Sequence, residues 1–151
     1  MDLQGSTDDL DIRILREYLS DARSSSRRVA ERLNLAVGTV LSRTKKMEKS
    51  GVIKGYSAVL DQEKLGYTLT AVTEMTVSKG KLLETEKEIA QWPMVCAVYD
   101  ATGLTDMFII AKFRSREELS VFTKRLLSLP HAERTNTHVV LTTVKEDFRL
   151  L

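Results

Sequence analysis

The chain has 151 residues, 42% of them hydrophobic and 29% charged; this length holds one medium domain or two small ones, and the composition excludes fibrous and disordered classes. A net charge of +2 does not by itself announce a nucleic-acid partner, and no run approaches the roughly 18 apolar residues of a membrane helix. The acidic start, "MDLQGSTDDLD", lacks the features of a secretory signal, and the single cysteine, Cys96, cannot close an internal disulfide; the expected setting is the cytoplasm, without membrane contact.

Taken along the chain, the first predicted element is a helix from Asp8 to Leu19. Leu10, Ile14, Leu15, Tyr18 and Leu19 form one apolar stripe, with Ser6 or Thr7 as the expected cap. "SDARSSS" interrupts the pattern with turn and capping residues. A short helix follows from Ser26 to Leu33, with Val29, Ala30 and Leu33 inward, and Asn34 suits the left-handed backbone that ends it. A third helix runs from Val37 to Ser50 and stops at Gly51. "VIKGYSAVL" reads as two short strands turning at Lys54-Gly55.

Charge is distributed unevenly over these elements. From Arg23 to Lys54 there are 9 basic residues against two acidic ones, Glu31 and Glu48, whereas residues 57–151 hold 12 basic against 13 acidic. A local basic patch on a helix–turn–helix is the electrostatic footprint of a DNA-binding module. Three short helices and a strand pair describe a winged helix-turn-helix, whose third helix enters the major groove while the second crosses the backbone. At about 100° per residue, Val40, Thr44 and Met47 share the inner face of the third helix. Gly38, Ser42, Lys45, Lys46 and Lys49 fall on or near the opposite face, with Thr39 and Arg43 on its flank. With Arg27 from the second helix, these are the candidate contacts to double-stranded DNA: small residues permit close approach and cations neutralise phosphates. A solvated Lys-rich face is the alternative.

Leu60 to Tyr67 loses periodicity and reads as a hinge, which divides the chain into 1–59, 60–67 and 68–151. After it come a strand (68–78), a helix (81–92) with Leu82, Ile89 and Trp92 on its dry side, strands in "MVCAVYDAT" and "DMFIIAKF", a helix opened by a Ser115/Glu118 capping box, and a last strand (135–144). The fold class is therefore α+β: a winged helix-turn-helix followed by a βαββαβ, ferredoxin-like domain. The middle strands look apolar on both sides, Val95, Ala97 and Tyr99 one way, Cys96 and Val98 the other, with Cys96 buried. The face without helices is thus expected to bury against a second copy, and a two-fold dimer would present paired recognition helices to a palindromic site. His131 and His138 belong to no ligand-spaced set, and no nucleophile–base pair or phosphate-binding glycine loop is present, so neither metal nor cofactor is expected.

"LDIRILREYLSDAR", "VAERLNLAVGTVLSRTKKMEKSGVIKGY", "VYDATGLTDMFIIAKF" and "TNTHVVLTTVKE", in this order over nearly the whole chain, resemble the Lrp/AsnC (feast/famine) family of transcriptional regulators. The resemblance implies a dimerising second domain, assembly of dimers into larger particles, commonly octamers, and a small effector, usually an amino acid, bound near the interface between dimers. Thr39, Val40, Arg43, Lys45 and Lys46 match the family's recognition-helix pattern. Ala36 stands where a capping serine is usual, a loss of about 1 kcal/mol, and Thr44 stands where an aliphatic residue is usual. For the effector, the resemblance points to Tyr99, Thr102, Gly103, Leu104, Thr105 and Asp106, with Gly103 and Asp106 as the matched pair and Thr135 and Thr137 near the same pocket. The competing reading is a hairpin glycine and a turn aspartate bonding its own backbone. An architectural DNA-coating protein without effector, and an enzyme similar to sirohaem decarboxylases, are the alternative functions.

Overall fold

The computed structural model describes residues 7–151, which form two compact units. One comprises the chain as far as Leu60 together with Glu146–Leu151, and the other is Asp61–Lys145. The C-terminal six residues thus group with the first unit and not with the 68–151 segment expected from sequence; Arg149 Nη1 donates to the Leu19 carbonyl at 3.5 Å.

In the first unit, α1 spans Asp9–Ser20. Ser6, one expected cap, lies outside the described residues, and the cap is Asp8. Its Oδ1 accepts from the Asp11 N–H (2.9 Å) while Asp11 Oδ2 accepts from the Asp8 N–H (3.2 Å). A reciprocal box needs an acceptor three residues into the helix, and only capping at Asp8 puts Asp11 there. The next helix, α2, covers Ser26–Leu33 and ends at Asn34 with φ 54°, as expected. The third, α3, covers Val37–Lys49, and Gly51 follows with φ 77°. Ile14, Val29, Ala30, Val40 and Met47 form the buried core of this unit.

The expected strand pair after α3 does not form: residues 51–60 contain no strand. A two-stranded ribbon is marginal unless it buries a face, and here Val52, Tyr56, Val59 and Leu60 remain 44 to 78% exposed. The segment is anchored instead by the Ile53 N–H to the Met47 carbonyl (3.1 Å) and by Tyr56.

The second unit runs β1 (Leu69–Val77), α4 (Leu82–Ile89), β2 (Val95–Asp100), β3 (Met107–Phe113), α5 (Arg116–Leu127) and β4 (Ala132–Val139). This is the expected βαββαβ order, in an antiparallel sheet ordered β2-β3-β1-β4. Ala71, Met75, Met107, Ile109, Ala111 and Phe113 face Ile89, Trp92, Phe122 and Leu126 in the core. The hinge-side end of β1 limits β4: Val140 N–H still reaches the Thr70 carbonyl (2.8 Å), but no partner remains to carry the strand to 144. Trp92 lies in the turn beyond α4, edge-to-face with Phe122 and beneath the Arg125 guanidinium at 3.9 Å. Ser115 caps α5, and Glu118 accepts from the Arg114 N–H (2.8 Å), one residue beyond the N-cap N–H that a true box uses.

The sheet's second face differs from the sequence expectation. Burial alternates along β1 and β3, so one face lies under the helices and the other carries Thr70, Val72, Glu74 and Thr76 beside Phe108, Ile110 and Lys112. Pairing of β2 with β3 slips between Val95 and Ala97. This bulge puts an extra residue, Cys96, on the strand, leaving the thiol exposed rather than buried. Val95 and Val98 consequently pack on the core side, while Ala97 and Tyr99 lie opposite Ile110 and Phe108 on the open face. No helix among the described residues is long and apolar enough to cross a membrane.

Candidate nucleic-acid interface and effector loop

Val40, Thr44 and Met47 hold α3 against the core, which turns the rest of the helix outward. Gly38, Ser42, Lys45, Lys46 and Lys49 are exposed, Thr39 half-buried. Lys45, Lys46 and Lys49 make no ion pair among the described residues, so three cations stand along the outer face with their charge uncompensated. Several other cations of the unit are paired, though Arg13, Arg16, Arg23 and Lys54 make no ion pair among the described residues either. Arg27 bonds Glu31 at 3.2 Å in a pair open to solvent, Arg32 bonds Glu17 at 2.9 Å and Arg28 lies 3.9 Å from Asp21. Exposed pairs of this kind are worth little and break readily, so Arg27 remains available to a phosphate.

Arg43 has a different setting from that expected of a DNA contact. Its Nη1 donates to both Asp8 oxygens (2.6 and 2.7 Å) and to Asp11 Oδ1 (2.9 Å). Asp11 is buried at 1% exposure. The same two carboxylates form the capping box, so one guanidinium ties the start of α1 to the middle of α3. Hydrogen bonding to Arg43 holds the Asp8 carboxyl below the usual carboxylate range, and the two aspartates raise Arg43 in turn.

Two residues of α3 escaped the sequence reading. Val37 and Leu41 are 40% and 44% exposed. They share an i, i+4 row with Lys45, and their apolar character disguises them as core. The available signal was angular: Leu41 sits about 100° from Val40 and so off the buried stripe.

The candidate effector loop connects β2 to β3. Its base is closed by the Ala101 N–H to the Asp106 carbonyl (2.9 Å) and the Asp106 N–H to the Met75 carbonyl (3.0 Å). Asp106 Oδ2 accepts from the Val77 N–H at 2.8 Å, and the buried Thr105 hydroxyl donates to the Met75 carbonyl at 2.9 Å. Asp106 therefore fastens the loop to β1, which is neither a bond to its own turn nor a carboxylate left wholly to a ligand. Gly103 has φ 125° and open space where a side chain would be, so the backbone geometry itself requires glycine. Thr102 and Leu104 form the exposed tip with it. Tyr99, 46% exposed, projects on the open sheet face. Thr135 lies opposite Met75 on β4, at the same end of the sheet as the loop, and Thr137 is hydrogen-bonded to Thr73 (3.0 Å between hydroxyls). The eight residues lie toward one end of the sheet but not on one face: Tyr99 is on the open face of β2, whereas Thr135 and Thr137 pair with the buried Met75 and Thr73 on the helix side of β4, at the opposite edge. A cleft of about 430 Å³ lined by Tyr67, Met94, Lys112 and Arg114 lies at the other end. His138 pairs with Glu74 (3.0 Å), and His131 uses its carbonyl for Ser78.

Residues 7–54 match the winged helix-turn-helix DNA-binding family model, and residues 70–150 match the Lrp/AsnC ligand binding domain. This chain belongs to the Lrp/AsnC family of transcriptional regulators. A helix-turn-helix-type transcriptional regulator of Pyrococcus furiosus, itself described as uncharacterized, is 50% identical over 143 residues, 95% of this chain and 97% of the relative. Among solved structures, a transcriptional regulator of Neisseria meningitidis in complex with L-Met has a TM-score of 0.88 at 27% identity, covering 97% of each chain. Escherichia coli AsnC has a TM-score of 0.87 at 23% identity, covering 94% of this chain and 97% of that one, and shares the fold. Lrp/AsnC relatives are regulators and not enzymes, which sets the decarboxylase alternative aside. The family's winged module is present here with its helices formed and no strand in residues 51–60.

Proposed function

We propose that this Lrp/AsnC regulator binds palindromic promoter DNA as a homodimer, and that an amino acid or related metabolite shifts its DNA affinity or oligomeric state in the cytoplasm. The observation that carries the reading is the row of uncompensated cations, Lys45, Lys46 and Lys49, on the outer face of a buried-core helix in a helix-turn-helix unit. Gly38, Thr39 and Ser42 precede it at the end of α3 that meets base edges in such motifs. Dimerisation uses the open sheet face, where Val72, Phe108, Ile110, Ala97 and Tyr99 make an apolar centre among polar neighbours. Dimers then assemble further, to octamers in the usual family arrangement.

An amino acid as effector class is supported by the L-Met complex of the Neisseria relative. The end of the sheet formed by Tyr99, Thr102–Asp106, Thr135 and Thr137 is the binding region, completed by a neighbouring subunit. Arg43 acts by position, holding α3 on α1, rather than on phosphate.

Fluorescence anisotropy on the duplex upstream of its own gene, against a scrambled duplex, with and without the twenty amino acids, tests the reading. Preference for the upstream duplex that shifts with the mixture is expected. The shift should be lost in Asp106→Asn, which keeps an acceptor for the Val77 N–H but removes the charge. Binding without preference or shift favours the architectural alternative, and no binding at low salt removes DNA binding altogether.

A further inference from the structure

We infer that Leu41, with Val37 one turn before it, reads thymine C5-methyl groups in the major groove, so that thymines facing the first two turns of α3 specify the target half-site. The inference rests on the DNA-binding reading above. Val40, Thr44 and Met47 already fill the inner face of α3, yet Val37 and Leu41 stand 40% and 44% exposed beside it. Gly38 adds a second observation. A side chain there would meet nothing within 4 Å, and its φ is not one that only glycine adopts. Gly38 is the second residue of α3; glycine is a poorer helix former than alanine, and one of its uses is to let the backbone come close to something outside.

The neighbouring chemistry says what that something is. Three uncompensated cations, Lys45, Lys46 and Lys49, continue along the same side, which matches a polyanion and not an ordinary protein surface. Between Val37 and Ser42 there is no Asn, Gln, Lys or Arg, and the guanidinium of Arg43, next in the chain, is held by Asp8 and Asp11. Bidentate readout of guanine or adenine in this stretch is therefore absent, and the hydroxyls of Thr39 and Ser42 accept either base. The discriminating groups that remain are apolar, and in the major groove the apolar feature of a base pair is the thymine methyl. The division along α3 is then base contact in the first two turns and phosphate contact in the last.

The test begins with selection of duplexes from a random library by the full-length protein, followed by single replacements of thymine by uracil, which removes only the methyl. Wild type should lose about fourfold in affinity at one or two thymines per half-site, the cost of failing to bury one methyl-sized group. Leu41→Ala should bind thymine and uracil equally at one of those positions. Leu41→Gln, which places an adenine-reading amide there, should shift the selected base toward adenine. Equal binding of every uracil duplex by wild type, or undiminished discrimination in Leu41→Ala, overturns the inference. Binding with no selected sequence overturns it too while sparing DNA binding, whereas absence of binding at low salt removes the DNA-binding reading itself.

Discussion

Thr44 has its hydroxyl oxygen sealed in the helical core without a hydrogen-bond partner, and Ala36 opens α3 without a side-chain cap. Both are single-atom deficits. A buried unsatisfied hydroxyl costs on the order of 1–3 kcal/mol, and a missing cap typically about 1 kcal/mol. Thr44→Val and Ala36→Ser are each expected to stabilise the N-terminal unit by about 1 kcal/mol, read as a higher denaturant midpoint with unchanged slope. Tyr56 is a third case. Partial burial of the half-exposed ring, then its hydrogen bond to Glu48 (2.9 Å), pushes its phenol up to about 12 from 10.0. Between these values the unfolded chain releases a proton that the folded one retains, so stability falls as pH rises through that window. The fall should vanish in Tyr56→Phe, measured by denaturation at a series of pH values.

Elements were legible where their signals are local. The three helices of the first unit follow from periodicity, Asn34 and Gly51, and the βαββαβ order from alternating patterns with Ser115 as punctuation. What the sequence could not show depends on partners far along the chain. The β2 bulge is a property of pairing with β3, so the facing of Val95, Ala97 and Tyr99, and the exposure of Cys96, were out of reach. The wing residues carry strand composition but lack a surface to pair on. Arg43 looked like one more cation of a basic helix because its partners, Asp8 and Asp11, lie over thirty residues away. Its removal is expected to lower the denaturation midpoint of the N-terminal unit by several degrees while leaving the salt slope of DNA binding intact. Asp11→Asn should behave alike. A reduced slope in Arg43→Met would instead make Arg43 a phosphate contact.

At the scale of the molecule, a net charge of +2 conceals a sorted distribution. Arg27, Arg28, Arg32 and Arg43 are paired within the first unit, and Lys45, Lys46 and Lys49, without ion pairs among the described residues, stand together on the exposed side of α3. The candidate effector residues divide between the two faces of the sheet, Tyr99 on the open face and Thr135 and Thr137 on the helix side. The structural bonds of these residues were not legible in the sequence, because their partners are distant: Asp106 and Thr105 fasten the loop to β1, and Thr137 is bonded to Thr73. The measurement that tests the DNA-reading face most directly is the salt dependence of duplex binding in the triple variant Lys45→Ala, Lys46→Ala, Lys49→Ala. Each lost phosphate contact lowers the magnitude of the log–log slope by about 0.9, so a drop of roughly 2 to 3 against wild type is expected. An unchanged slope would place the DNA-binding surface elsewhere.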